Sequence, residues 1–210
     1  MRAFLYTGGH VDVANITTHP KGDDLVIAVD SGWNNAVALG EKPTVLVGDF
    51  DSLGEENIPT GVELIRLQPE KDKTDTQVAI EVAIERGATE IDIVGGLSGR
   101  LDHTLSNLFM LECLAQRGIY AIAYDGISRA RYLDSSSVII GRSQYRYVSV
   151  LAVDEKVKGV EIDGCKYPLK KATLYRNYQY AVSNEIDGNC TLIAVKKGKV
   201  FIIESRDPQV

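Results

Sequence analysis

The chain has 210 residues, a formal net charge of −6, 44% hydrophobic and 25% charged residues, ordinary proportions for a globular protein of one large or two small domains, which exclude disorder as the organising theme. The negative balance argues against generic affinity for nucleic acid or anionic membranes, though not against a local phosphate site, and no apolar run approaches the roughly 18 residues needed to span a bilayer. Cys113, Cys165 and Cys190 show no C-x-x-C spacing, so neither a disulfide framework nor a zinc site is indicated, and without a long apolar leader after Met1 the expected location is cytoplasmic.

Residues 3–6 and 25–29 are short apolar runs that lead into Gly, Asp or Ser, as parallel strands with loops at their carboxyl ends do. Asp30-Ser31-Gly32 follows the second run, and a short helical segment, 33–39, precedes the next strand. That strand, Val45-Leu46-Val47, ends in Gly48-Asp49-Phe50-Asp51-Ser52. Continued extended geometry would point Asp49 and Asp51 the same way, with Phe50 opposite. Two neighbouring carboxylates repel until one is protonated or both meet a hard cation, for which Mg²⁺ is the natural choice; an Asx and Ser turn is the plainer reading of the same residues.

Residues 64–67 read as another strand, followed by the polar loop Pro69-Glu70-Lys71-Asp72-Lys73-Thr74-Asp75. Val78, Ala79, Val82, Ala83 and Ile84 then recur at helical spacing up to Gly87, with Thr74 or Asp75 placed to cap the helix. A strand over 91–94 runs into Gly95-Gly96-Leu97-Ser98-Gly99-Arg100-Leu101-Asp102-His103. A helix over 104–117 follows, with Leu105, Leu108, Phe109 and residues 111–114 supplying its apolar inner face, and then a strand over 120–124. Alternating strands and helices predict a mostly parallel sheet covered on both faces over residues 1–133.

From residue 134 to 210 the texture changes to short β-rich runs at 138–140, 145–152, 160–162, 172–175, 179–182, 190–195 and 200–203, separated by Gly and Asn turns. This pattern predicts an all-β antiparallel sandwich packed after the α/β domain.

Ligands in open parallel sheets bind outside the carboxyl ends of the strands. Four acidic clusters fall there: Asp30, the Asp49/Asp51 pair, the Asp72/Asp75 loop, and Asp102. Each taken singly reads as a cap or a solvated loop acid; their convergence is the signal. The 95–99 turn lacks the dinucleotide and P-loop spacings, yet its glycines let backbone N–H groups approach an anion, with Arg100 adding donors for phosphate. His103 is a candidate base or phosphate donor and equally a packing histidine. Lys71 and Lys73 read as phosphate contacts or as a solvated charged loop. Ser183-Asn184-Glu185 is by its chemistry only a turn-rich hairpin.

Taken in order, Asp30-Ser31-Gly32, Gly48-Asp49-Phe50-Asp51-Ser52, Lys71-Asp72-Lys73-Thr74-Asp75, Gly95-Gly96 through Gly99-Arg100-Leu101-Asp102-His103 with Asn107, and Ser183-Asn184-Glu185 resemble the thiamine pyrophosphokinase family. The family moves a pyrophosphoryl group from ATP to the hydroxyl of thiamine, leaving thiamine diphosphate and AMP. The resemblance implies Mg²⁺ on Asp49, Asp51 and Asp75, with Asp30 or Asp72 nearby. It implies ATP at Asp30, Gly95, Gly96, Gly99, Arg100, Asp102, His103 and Asn107, and thiamine at Ser183 and Asn184 near the interface of a homodimer. Asp49, Asp51, Asp72, Asp75, Arg100 and Asp102 are the expected catalytic set, with Asp72 or Asp102 as proton acceptor. The chain departs from the family's usual Asp-Gly-Gly-Ala, carrying Asp30-Ser31-Gly32-Trp33 instead. Two rivals remain: a pyrophosphokinase for a hydroxymethyl-pterin on the same scaffold, and a non-catalytic protein that binds a nucleotide or thiamine diphosphate.

Overall fold

The structure, a computed structural model, describes residues 1–51, 59–68 and 72–207. The chain forms two compact units, Met1–Gly126 and Ile127–Val210. In the first, the elements are β1 (Arg2–Tyr6), β2 (Leu25–Val29), α1 (Gly32–Ala38), β3 (Val45–Gly48), β4 (Glu63–Arg66), α2 (Asp75–Glu85), β5 (Glu90–Val94), α3 (Leu101–Gln116) and β6 (Tyr120–Tyr124). The strands are all parallel, in the order β4-β3-β2-β1-β5-β6. Strands β1 to β4 advance in one direction, and β5 then returns to the other side of β1. That reversal makes a switch point beside β1, where the loops on either side part and leave a crevice.

The apolar runs become parallel strands because both of their faces are covered. Phe4, Tyr6 and Val26 pack with Ala36 of α1, while Ala3, Leu5, Ile27 and Ile93, of opposite parity, are also fully buried. Helix α2 buries Ala79, Ile80 and Ala83 and packs on β1, β2 and β3, and α3 packs on β6. Its start is fixed by a capping box: the Thr74 hydroxyl accepts from the Gln77 N–H at 3.2 Å, and the Thr74 N–H donates to the Gln77 side chain at 2.8 Å. In α3 the buried stripe is Asn107, Leu111 and Leu114. Leu105 and Phe109, expected on the inner face, are exposed because a stripe at i, i+4 and i+7 turns them away.

The second unit contains β7 (Ser128–Asp134), β8 (Ser137–Gly141), β9 (Tyr147–Ala152), β10 (Lys156–Asp163), β11 (Leu169–Tyr175), β12 (Asn184–Glu185), β13 (Cys190–Lys197) and β14 (Lys199–Ser205). They pair antiparallel in the orders β12-β9-β14-β7 and β11-β10-β13-β8. Val148, Val150, Val200 and Ile202 from one sheet share a core with Val157, Val160, Ile193 and Val195 from the other. Two expectations are corrected here. β7 was not anticipated: it begins well before residue 134, its hydrophobic period hidden by Arg129 and Arg131, whose charges are taken up inside by Glu204. The run 179–182 is not a strand, because the Gln179 side chain, in place of a backbone ladder, bonds the N–H and C=O of Ala152.

Candidate functional site

Outside the carboxyl ends of β1, β2 and β5 lies an open cavity of about 490 Å³. It is lined by Thr7, Gly8 and Gly9 after β1, Asp30 and Ser31 after β2, Thr74, Asp75 and Thr76 at the start of α2, and Gly95, Ser98, Gly99, Arg100, His103 and Asn107 around the start of α3. A smaller cavity of about 130 Å³ adjoins the same residues, with Asp102, His103 and Ser106 on its wall. The topology alone accounts for the position, since these loops flank the switch point.

Gly95 has φ 86°, a left-handed conformation that suits glycine, and a side chain there would press on the Thr7 carbonyl and Val11. The buried Asn107 amide donates to the Gly96 carbonyl at 3.0 Å, so Asn107 holds the turn in place. Arg100 forks onto Asp102, with Nε to Oδ1 at 3.2 Å and Nη2 to Oδ2 at 2.6 Å, leaving its remaining N–H groups to face an anion. This hydrogen-bonded guanidinium holds the Asp102 carboxyl below the usual carboxylate range, so Asp102 stays charged to lower pH and is a weaker base. In Arg100→Ala the Asp102 titration, followed by carboxyl-carbon NMR, is expected to move up toward the ordinary aspartate value; an unmoved titration would show that the pairing does not hold in solution.

The acidic turn departs from the extended geometry read from the sequence. β3 ends at Gly48, and Phe50 has φ 69° and is buried, so strand alternation does not set the directions of Asp49 and Asp51. The Asp51 N–H donates to Asp49 Oδ1 at 3.1 Å, an Asx turn, and the Phe50 N–H donates to Asp30 Oδ1 at 3.2 Å. Asp30, itself at φ 47°, therefore ties the loop after β2 to the acidic turn. Asp75 lines the cavity with Asp30, and Asp49 and Asp51 stand on the turn beside it. Among the described residues no three His, Cys, Asp or Glu side chains are gathered as a metal-ligand group, so the expected trio of Asp49, Asp51 and Asp75 is not brought together as such. Asp72 is exposed just ahead of α2, and Lys73 pairs with Glu81 at 2.8 Å; Ser52 and Lys71 lie outside the described residues.

In the second unit, Asn184 is buried and its amide is engaged at both ends: Nδ2 donates to the Tyr167 carbonyl at 2.7 Å, and Oδ1 accepts from the N–H groups of Tyr167 and Glu185. Ser183, exposed at φ 55°, donates its N–H to Ser149 Oγ. Asn184 thus shapes a pocket of about 120 Å³ walled by Ile162, Tyr167, Leu169, Tyr180 and Val182. Sequence reasoning passed over Thr7, Gly8 and Gly9 in the first unit; the signal available was a Gly-Gly pair directly after a strand.

A parallel sheet with acidic and glycine-rich turns at its switch point, followed by an all-β unit, offers a crevice suited to an anionic ligand. Comparison with known proteins makes this specific. The profile described as "Thiamin pyrophosphokinase, catalytic domain" matches residues 18–123, and that described as "Thiamin pyrophosphokinase, vitamin B1 binding domain" matches residues 137–200. The chain belongs to the thiamin pyrophosphokinase family. A thiamine pyrophosphokinase of Bacillus subtilis is 27% identical over 200 residues, covering 93% of this chain and 94% of that one. The crystal structure of a thiamin pyrophosphokinase from Geobacillus thermodenitrificans superposes with a TM-score of 0.86 at 26% identity, over 100% of this chain and 99% of that one. A thiamine pyrophosphokinase structure from Bacillus subtilis shares the fold at a TM-score of 0.89 and 24% identity, over 99% and 100% of the two chains.

Proposed function

We propose that the protein transfers the pyrophosphoryl group of ATP to the hydroxyl of thiamine, releasing AMP and thiamine diphosphate. The observation that carries this reading is the convergence of Asp30, Asp75, Gly95, Gly99, Arg100 and His103 on one cavity in a chain of this family. Phosphoryl-type transfer needs positioning and charge neutralisation more than covalent catalysis. In this reading the 95–99 turn and Arg100 meet the phosphates, and Asn107 keeps the turn in register. Asp72 or Asp102 serves as the proton acceptor in this reading. Asp49, Asp51 and Asp75 are not gathered as a three-ligand group, but Mg²⁺ usually needs only one or two carboxylates and completes its shell with water and substrate phosphates, so these oxygen donors, with Asp30 adjoining, still suit it. Bound there, the cation would neutralise charge on the phosphate oxygens. Thiamine is assigned to the Ser183–Asn184 region.

The reading includes a homodimer working in the cytoplasm. Ile139 and Leu192, paired across β8 and β13 and 69% and 38% exposed, offer an apolar patch for a second copy. No helix among the described residues is long and apolar enough to cross a membrane.

The test is AMP release by purified protein with ATP, Mg²⁺ and thiamine, repeated without each component and with a hydroxymethyl-pterin in place of thiamine. Release that requires all three, matched by thiamine diphosphate, is expected. Release with the pterin alone would overturn the substrate assignment, and none with either alcohol would favour a binding protein.

A further inference from the structure

Asn35 of α1 belongs to no motif and does not line the cavity, yet it makes two of the shortest side-chain contacts near it. Its Nδ2 donates to the Thr7 carbonyl at 2.6 Å and to the Gly9 carbonyl at 2.7 Å. One amide group thus spans the turn that leaves β1, the strand at the switch point. The same turn is wedged between two loops assigned to the nucleotide. A Cβ at Gly9 would lie 1.9 Å from the Gly95 carbonyl oxygen, and one at Gly8 would lie 2.2 Å from Ser31 Oγ. Its far end is held as well, the Ser98 hydroxyl donating to the His10 carbonyl at 2.8 Å.

We infer that Asn35 is a positioning residue for the nucleotide: by clasping residues 7–9 it fixes the wall against which the 95–99 turn and the Asp30–Ser31 loop are set. The inference rests on the ATP reading of this cavity and extends it to a segment and a residue outside the recognised motifs. The physical argument is one of register. The β1 turn meets the 95–99 turn backbone to backbone at Gly9 and Gly95, with no side chain between them to absorb a shift, and meets the Ser31 side chain at Gly8, so a small movement of the β1 turn displaces the donors of the 95–99 turn. Without the two Asn35 hydrogen bonds, the Thr7 and Gly9 carbonyls lose partners and the turn is free to relax toward solvent. The site then loses preorganisation, which weakens nucleotide binding while leaving the thiamine region, in the second unit, untouched.

The test uses the full chain with Asn35→Leu, which keeps the bulk and removes the donors, and Asn35→Ala, with Ser98→Ala as a milder loosening of the same turn. ATP binding is measured by calorimetry without thiamine, and KM and kcat by AMP release. The expected result for both Asn35 variants is an ATP Kd and KM raised roughly tenfold with the thiamine KM within about twofold of wild type, and a smaller rise of the same kind for Ser98→Ala. An ATP Kd within about twofold of wild type in folded Asn35→Leu would overturn the inference. So would a Leu variant that matches wild type while Ala does not, because bulk would then be what matters. Failure of the ATP reading is distinguishable: the wild type itself would then neither bind ATP nor release AMP.

Discussion

Asp49→Ala or Asp51→Ala is expected to lower kcat by about a thousandfold or more without unfolding the protein, the scale on which losing metal-based charge stabilisation acts. Both carboxylates stand on the turn after β3, and Asp51 is exposed. The turn's anchorage lies elsewhere, in buried Phe50, whose N–H is held by Asp30 and whose ring lies under the Arg66 guanidinium at 4.9 Å. Asp49→Asn separates charge from shape, since its side-chain oxygen still accepts from the Asp51 N–H; it should be nearly as inactive as the alanine variant. Turnover is compared with thermal unfolding by circular dichroism. Activity within a few-fold of wild type in a folded variant would refute the metal assignment.

Glu204→Ala is expected to cost about 3–5 kcal/mol of stability in the second unit. Glu204 is 2% exposed and accepts from Arg129 at 2.6 and 2.8 Å and from Arg131 at 2.7 Å. Removing it leaves two guanidinium groups at the end of an apolar core without their shared counter-ion. Among the described residues, Arg131 Nε has no hydrogen-bond partner. Urea unfolding followed by circular dichroism checks this, and a change below about 1 kcal/mol would show that the cluster is solvated. Glu204→Gln, which keeps acceptor geometry but not charge, should fall between.

These two sites also show where the sequence was legible. The parallel strands were readable because burial on both faces leaves unbroken apolar runs such as Val45-Leu46-Val47, and α2 because Val78, Ala79, Val82, Ala83 and Ile84 recur at helical spacing behind Thr74, which is its cap in the structure. β7 was not readable, because Arg129 and Arg131 occupy inward positions that only the distant Glu204 makes tolerable, and a pairing 73–75 residues apart leaves no local trace. The same holds for the acidic turn: Gly48-Asp49-Phe50-Asp51 announces a site, but the left-handed Phe50 depends on Asp30, 20 residues earlier, accepting its N–H. The loops of the cavity were found through their acids and glycines. Asn35 was missed because its role is to hold backbone carbonyls, and no residue spacing encodes that. Asn184 was singled out by resemblance, while its physical task, closing the Tyr167 segment over a small pocket, emerges only from its hydrogen bonds.

The most direct test of the central claim follows the label of ATP through the reaction. With thiamine and Mg²⁺ present, ATP labelled at the γ-phosphorus should place its label in thiamine diphosphate, and ATP labelled at the α-phosphorus should place all of its label in AMP. Label from the γ position appearing in thiamine monophosphate, with ADP as the other product, would contradict pyrophosphoryl transfer and make the protein a simple phosphoryl-transfer kinase.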